Sequence, residues 1–198
     1  TPVTLELGGK SPCVVDRTAD LDTAARKIAW GKLLNAGQTC IAPDYLLLHE
    51  SLADTFPAAY ARALRRLHGD DARQSPHYVR LVNDRAFDRV ASYLAQGTVR
   101  LGGRTDRAER YIEPTLLTEV DPLAPVMREE IFGPVLPVVP FRTTDEAVAF
   151  VTEREKPLAL YYFGPEKSGR EVLRRTASGG ACLNDTIIHI ANEHLPFG

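Results

Sequence analysis

The sequence predicts an α/β domain whose mainly parallel sheet is flanked by helices on both faces. Three observations carry that prediction. Short apolar runs alternate with amphipathic segments along the chain, the order that builds βαβ units. The 198 residues, 44% hydrophobic and 25% charged, are enough to bury one substantial core. No internal repeat, low-complexity tract or linker breaks the pattern, so residues 1–198 read as one domain.

The elements follow in order. Val3–Leu7 and Pro12–Val15 are strand-like runs around the Gly8-Gly9 turn. Asp20 can cap a helix over about 21–35, where Ala24, Ala25, Ile28, Ala29 and Leu33 recur at helical spacing. Gly37 should stop it and leave Cys40 in the following turn. Tyr45–Leu48 reads as a buried strand. Ser51–Leu67 reads as an amphipathic helix with Arg62, Arg65 and Arg66 on its polar face. Asn83 or Asp84 starts another helix, to about Gln96. Val99–Leu101 and Thr115–Leu117 are strand candidates around a polar loop. Val135–Phe141 is apolar and β-branched, but Pro137 and Pro140 predict an edge or irregular strand. Thr143 caps a helix over 144–153, Leu158–Phe163 is a strand, Glu166–Thr176 a helix, and Ala181–Asn184 a last strand.

Bulk properties exclude several function classes. A formal net charge of -2 offers no basic surface for nucleic acid. No apolar run nears the ~20 residues that span a bilayer, so no membrane segment is expected in this chain. Three cysteines without framework spacing fit a reducing, cytoplasmic setting rather than a disulfide-stapled secreted domain. No GxGxxG or GxxxxGK[ST] run supplies a phosphate-cradling loop. Thr1 begins an apolar run at once and the chain stops at Leu195-Pro196-Phe197-Gly198, so it is expected to be a piece of a longer protein, and it does not report on that protein's targeting signals.

The chemistry concentrates in three runs. TLELGGK, at Thr4–Lys10, supplies a carboxylate, Glu6. GQTC, at Gly37–Cys40, supplies a thiol. EEIFGPV, at Glu129–Val135, adds an acid and an aromatic beside a Gly-Pro turn. A thiol nucleophile and a carboxylate base are the groups needed for covalent chemistry at a carbonyl carbon followed by hydrolysis. Free cysteines are mostly buried core thiols, but Gly37 permits close backbone approach and leaves Cys40 open to a small carbonyl compound. Glu6, between Leu5 and Leu7, is expected to be half-buried, which would raise its pKa and suit it to take a proton from water.

In order and spacing these runs resemble the aldehyde dehydrogenase superfamily over essentially the whole chain. The stretches CIAPDYLL, VDPLAPVMREEIFGPVLPVV, EKPLALYYF and HIANEHLPFG look most like its class 3, or coniferyl-type, branch. The resemblance implies that Cys40 is the catalytic nucleophile and that Glu6 activates the water that hydrolyses the thioester. It implies that Glu130, which directly precedes IFGPV, meets the nicotinamide ribose hydroxyls, and that Phe132 packs on that end of the cofactor. The cofactor would be NAD or NADP, the substrate a small-molecule aldehyde, and the parent protein a homodimer. Residues 1–198 would be the nucleophile-bearing catalytic domain. The cofactor-binding domain and an Asn oxyanion donor would precede it, so the isolated chain is expected to be inactive. Lys10 and Asn184 match family runs and read as structural, Asn184 organising the loop under the site.

Two rivals remain. Coenzyme A-acylating relatives typically lack the base, and Glu6 counts against them. A structural or interaction domain without turnover is opposed by intact catalytic positions. His189 and His194 lack a one-face metal spacing, so no metal is expected. Cys13 and Cys182 read as core thiols, and the Arg62, Arg65, Arg66 cluster as helix surface.

Overall fold

A computed structural model of the chain describes positions 3 and 6 and residues 8–195. The strands, in chain order, are β1 (Pro12–Val15), β2 (Tyr45–His49), β3 (Thr98–Leu101), β4 (Thr105–Asp106), β5 (Tyr111–Ile112), β6 (Thr115–Thr118), β7 (Val135–Phe141), β8 (Ala159–Phe163) and β9 (Gly180–Leu183). The helices are α1 (Leu21–Leu33), α2 (Phe56–His68), α3 (Asp84–Ser92), α4 (Pro125–Arg128), α5 (Thr144–Thr152) and α6 (Glu166–Arg175). Seven strands form one sheet in the order β3-β6-β7-β2-β1-β8-β9, parallel throughout except for β3 against β6. The pair β4-β5 is a separate antiparallel hairpin.

Alternation along the strands sends side chains to two cores. Cys13, Leu46, Leu136 and Tyr161 join Ile28 of α1 and Tyr60 of α2 on one face. Val14, Leu47, Leu160 and Tyr162 join Val148 of α5 and Val172 of α6 on the other. Each fully buried Leu or Ile contributes about 2 kcal/mol relative to exposure. The expected architecture is the observed one.

Local chemistry explains most boundaries. Asp20, Asn83 and Thr143 each accept the backbone N–H three residues on, which fixes the starts of α1, α3 and α5. Four expectations need correction. Of the strand expected over Val3–Leu7, only Val3 and Glu6 lie among the described residues, and neither is in a strand. The helix expected from Ser51 begins at Phe56, because Pro57 belongs in a first turn and Glu50–Leu52 forms its own 3₁₀ turn. Helix α1 ends at Leu33 rather than Asn35. A 3₁₀ turn over Leu34–Gly37 follows, with Asn35 and Ala36 at φ 52° and 53°. β7 is no edge strand but lies between β6 and β2. Its prolines are tolerated because Pro137 stands opposite Leu117 and Pro140 opposite Leu48, each one residue from the end of the neighbouring strand.

Candidate active site

The site is built from segments that lead into parallel strands. Gly8–Ser11 enters β1, Cys40–Asp44 enters β2, Glu129–Pro134 enters β7, and Pro157-Leu158 enters β8. All converge on the amino edge of the sheet, opposite to the carboxyl edge where open α/β sheets usually bind ligands.

Cys40 lies in the turn expected for it, closed by Ala42 N–H donating to the Thr39 carbonyl at 3.0 Å. The turn is anchored from both sides. Gln38 Oε1 accepts from Val82 N–H at 2.9 Å, and its amide donates to the carbonyls of Asn35 and Arg80. Gly37, at φ 78°, sits so close to Gly133 that a Cβ would collide with the Gly133 carbonyl. The thiol of Cys40 is half-buried. Burial is the chief cause that pushes it above the usual thiol range, and the carboxylates of Glu130 and Glu6 add to this. The backbone N–H groups of Cys40 and Ile41 oppose the rise. Both carboxyls are thus within electrostatic reach of the sulfur.

Glu6 is exposed, not half-buried, and its Oε1 accepts from Gly8 N–H at 3.2 Å. Instead of entering the sheet between apolar neighbours, the side chain turns back onto the glycine turn. The desolvated carboxyl is Glu130. It packs against Gly8 so tightly that a Cβ there would strike it. Its Oε1 is buried without a hydrogen-bond partner among the described residues. Burial lifts its pKa to about 6, aided by Asp44 and opposed by the Gly9 N–H, Lys10 and Arg89. Glu129 faces elsewhere, accepting from Tyr93 Oη at 2.7 Å. The two adjacent acids therefore have different surroundings.

The loop carrying Glu130 and Phe132 is held from three directions. Lys10 Nζ donates to the carbonyls of Val126 (2.7 Å) and Glu129 (2.9 Å) and pairs with Asp44. Asp44 accepts from Ile131 N–H at 3.2 Å. Arg89 donates to the carbonyls of Glu130 (3.0 Å) and Ile131 (2.9 Å). Lys10 is structural, as expected. Phe132, at φ 48°, is left 38% exposed beside the site. A cleft of about 760 Å³ is lined by Gly8, Gly9, Lys10, Met127, Glu130 and Arg154 among others. A carboxyl with one buried, unpaired oxygen, lining a cleft and two residues from an exposed aromatic, fits the hydroxyls and flat ring of a nicotinamide riboside. Glu130 and Phe132 are the residues that would hold it.

Sequence reasoning missed Asp44, Arg89 and Tyr93, whose partners are distant in the chain. It also missed Lys32, fully buried at the end of α1. Burial pushes the Lys32 pKa down to about 8 against the pull of Asp44 and Glu130, with Lys10 adding to the fall. Its signal was a lysine in the apolar phase of the helix. Asn184 is structural, but not under the site: it bridges the N–H and carbonyl of Gly164 at the carboxyl edge. Cys13 and Cys182 are buried, and Cys182 Sγ contacts His189 Nδ1 at 3.4 Å. Among the described residues no cluster of acidic, His or Cys side chains is placed to hold a metal, and no helix is long and apolar enough to cross a membrane.

A sequence profile described as "Aldehyde dehydrogenase family" matches residues 1–198. The chain belongs to the aldehyde dehydrogenase family. It is 52% identical over 199 residues to the rat protein named "Aldehyde dehydrogenase, dimeric NADP-preferring", covering 100% of this chain and 44% of that one. It is 51% identical to "Aldehyde dehydrogenase family 3 member A2" of Macaca fascicularis, covering 100% of this chain and 41% of the relative. A solved structure titled "Substrate bound state of Staphylococcus Aureus AldH" superposes with a TM-score of 0.96 at 47% identity, over 100% of this chain and 44% of that chain. The class 3 resemblance thus extends to named family 3 relatives. This aldehyde dehydrogenase chain spans less than half the length of each.

Proposed function

We propose that the chain is the catalytic unit of an NAD(P)-dependent aldehyde dehydrogenase that oxidises an apolar aldehyde to its acid. The observation that carries this reading is one thiol, Cys40, in an open turn at the amino edge of the sheet, with Glu6 and Glu130 both acting on it. The Cys40 thiolate adds to the aldehyde carbon, and the backbone N–H of Cys40 is a donor for the oxyanion. Glu130 would meet the ribose hydroxyls and Phe132 would pack at the ring of NAD or NADP, which would supply the hydride acceptor. Glu6 then takes a proton from water, and the water attacks the thioester, releasing the acid and restoring the thiolate. Glu6 is exposed to the water it would activate, with Oε1 on the Gly8 N–H.

The apolar preference rests on the rim. Trp30 in the last turn of α1 and Leu34 just after it are exposed, and Thr39 Oγ1 next to Cys40 donates to the Leu34 carbonyl. Ile188 and Ile190 are exposed on the segment that Thr186 ties to the Lys27 carbonyl of the same helix. The dinucleotide domain and a homodimer contact belong, in this reading, to sequence outside this chain, and the unpaired thiols favour a cytoplasmic setting. Cys40→Ser in the full-length enzyme tests the proposal: steady NAD(P)H production should fall at least about a thousandfold, since a hydroxyl without an adjacent base is a poor nucleophile. Near-normal turnover would end the reading.

A further inference from the structure

Tyr161 is fully buried on β8, yet its phenol is used. Tyr161 Oη donates to the Ile41 carbonyl at 2.6 Å. The same peptide unit, Ile41–Ala42, is held at its other end by Ala42 N–H on the Thr39 carbonyl at 3.0 Å. Both polar ends of that peptide are therefore engaged, and the Ile41 side chain is itself buried. With that plane fixed, the Ile41 N–H on its other side is presented toward the Cys40 sulfur, where it favours the thiolate. Burial keeps the Tyr161 phenol far above its usual pKa, so it is a donor throughout the working range.

We propose that Tyr161 is a positioning residue for the nucleophile: through the Ile41 carbonyl it sets the turn that aims Cys40 and its flanking N–H groups at the reacting carbon. The proposal rests on Cys40 being the nucleophile but is read at the thiol, independently of turnover. Without the phenol the Ile41 carbonyl is buried and unpaired. The peptide then rotates to find another partner and carries the turn with it. The neighbouring tyrosine supplies a matched control. Tyr162 is as deeply buried on the same strand, but its side chain packs on the opposite face of the sheet, and its Oη bonds no residue of the nucleophile turn among the described residues.

The experiment measures the pH dependence of iodoacetamide alkylation at Cys40 by peptide mass spectrometry, in this chain and in the full-length enzyme. Tyr161→Phe should slow alkylation near neutral pH by about tenfold, the worth of one buried hydrogen bond, and move the midpoint upward. Tyr162→Phe should change neither. In the full-length enzyme Tyr161→Phe should lower kcat with KM little changed. Wild-type rate and midpoint in Tyr161→Phe, or equal shifts in both variants, would overturn the proposal. Should Tyr161→Phe not fold, p-aminophenylalanine at 161 decides: it keeps an N–H donor and should restore the wild-type profile, and a displaced profile despite that donor overturns the idea. Failure of the functional reading is separate, because it would appear as turnover surviving Cys40→Ser.

Discussion

Lys10 and Asp44 form a nearly buried ion pair, Nζ to Oδ2 3.3 Å, that joins the glycine turn after Glu6 to the segment entering β2. The pair also organises its surroundings, since Asp44 takes the Ile131 N–H and Lys10 two further carbonyls. Burial lowers the Lys10 pKa, and Asp44 resists that fall. Removing one partner leaves an uncompensated buried charge. Asp44→Ala should therefore lower unfolding stability by about 3 kcal/mol in urea titration. Lys10→Met, which removes the ammonium but keeps the stem, should leave Asp44 stranded and cost a similar amount. A loss under 1 kcal/mol in both would mean the pair contributes little.

Glu130 predicts a pH signature. Its pKa is about 6 in the fold against an ordinary 4.5. The folded state holds this proton longer than the unfolded chain, so the contribution of Glu130 is most favourable below about pH 4.5 and is lost as pH rises to about 6. At about 1.4 kcal/mol per pH unit the effect is at most about 2 kcal/mol. Glu130→Gln should flatten the stability profile across that window and be at least as stable as the parent above it. An unchanged slope in thermal melts at matched ionic strength would refute the shifted carboxyl.

Glu6 and Glu130 should separate kinetically in the full-length enzyme. Glu6→Gln should keep a pre-steady-state burst of NAD(P)H while steady turnover falls at least about a hundredfold, the usual worth of a general base. Glu130→Gln should weaken cofactor binding and hydride transfer and reduce the burst itself. A lost burst in Glu6→Gln with an intact one in Glu130→Gln would exchange their roles.

The sequence made much of this legible where the signal is local. The caps Asp20, Asn83 and Thr143 mark helix starts because one side chain satisfies one nearby N–H. GQTC and IFGPV mark the turns because glycine adopts backbone angles other residues avoid, as Gly37 does at φ 78°, and proline fixes its own. The remainder depends on contacts between distant segments. Pro137 and Pro140 read as edge signals because only the finished sheet shows that the neighbouring strands stop beside them. The burial of Glu6 was inferred from its neighbours in sequence, yet exposure is set by what covers a residue in space. The clasp of Arg89 and Tyr93 on the Glu130 loop has no sequence pattern at all.

The chain alone, mixed with NAD or NADP and benzaldehyde or a medium-chain aldehyde, should give no absorbance increase at the NAD(P)H band. Hydride transfer needs both reactants held in attack geometry, and Glu130 and Phe132 hold only one end of the dinucleotide in this reading. Exposed Val82, Leu123, Phe132 and Ile188 should make the chain self-associate in sedimentation experiments. Sustained turnover by a monodisperse monomer would contradict both expectations.

Gly37 and Gly133 meet backbone to backbone, with no room for a methyl group between the nucleophile turn and the Phe132 loop. Gly37→Ala should cost at least about 2 kcal/mol, from the left-handed φ alone and before any collision. The contact also bears on how such sites can be recombined. A crossover between relatives that falls between these two glycines would bring together surfaces never fitted to one another, so chimaeras that inherit both segments from one parent should keep a working thiol where mixed ones lose it.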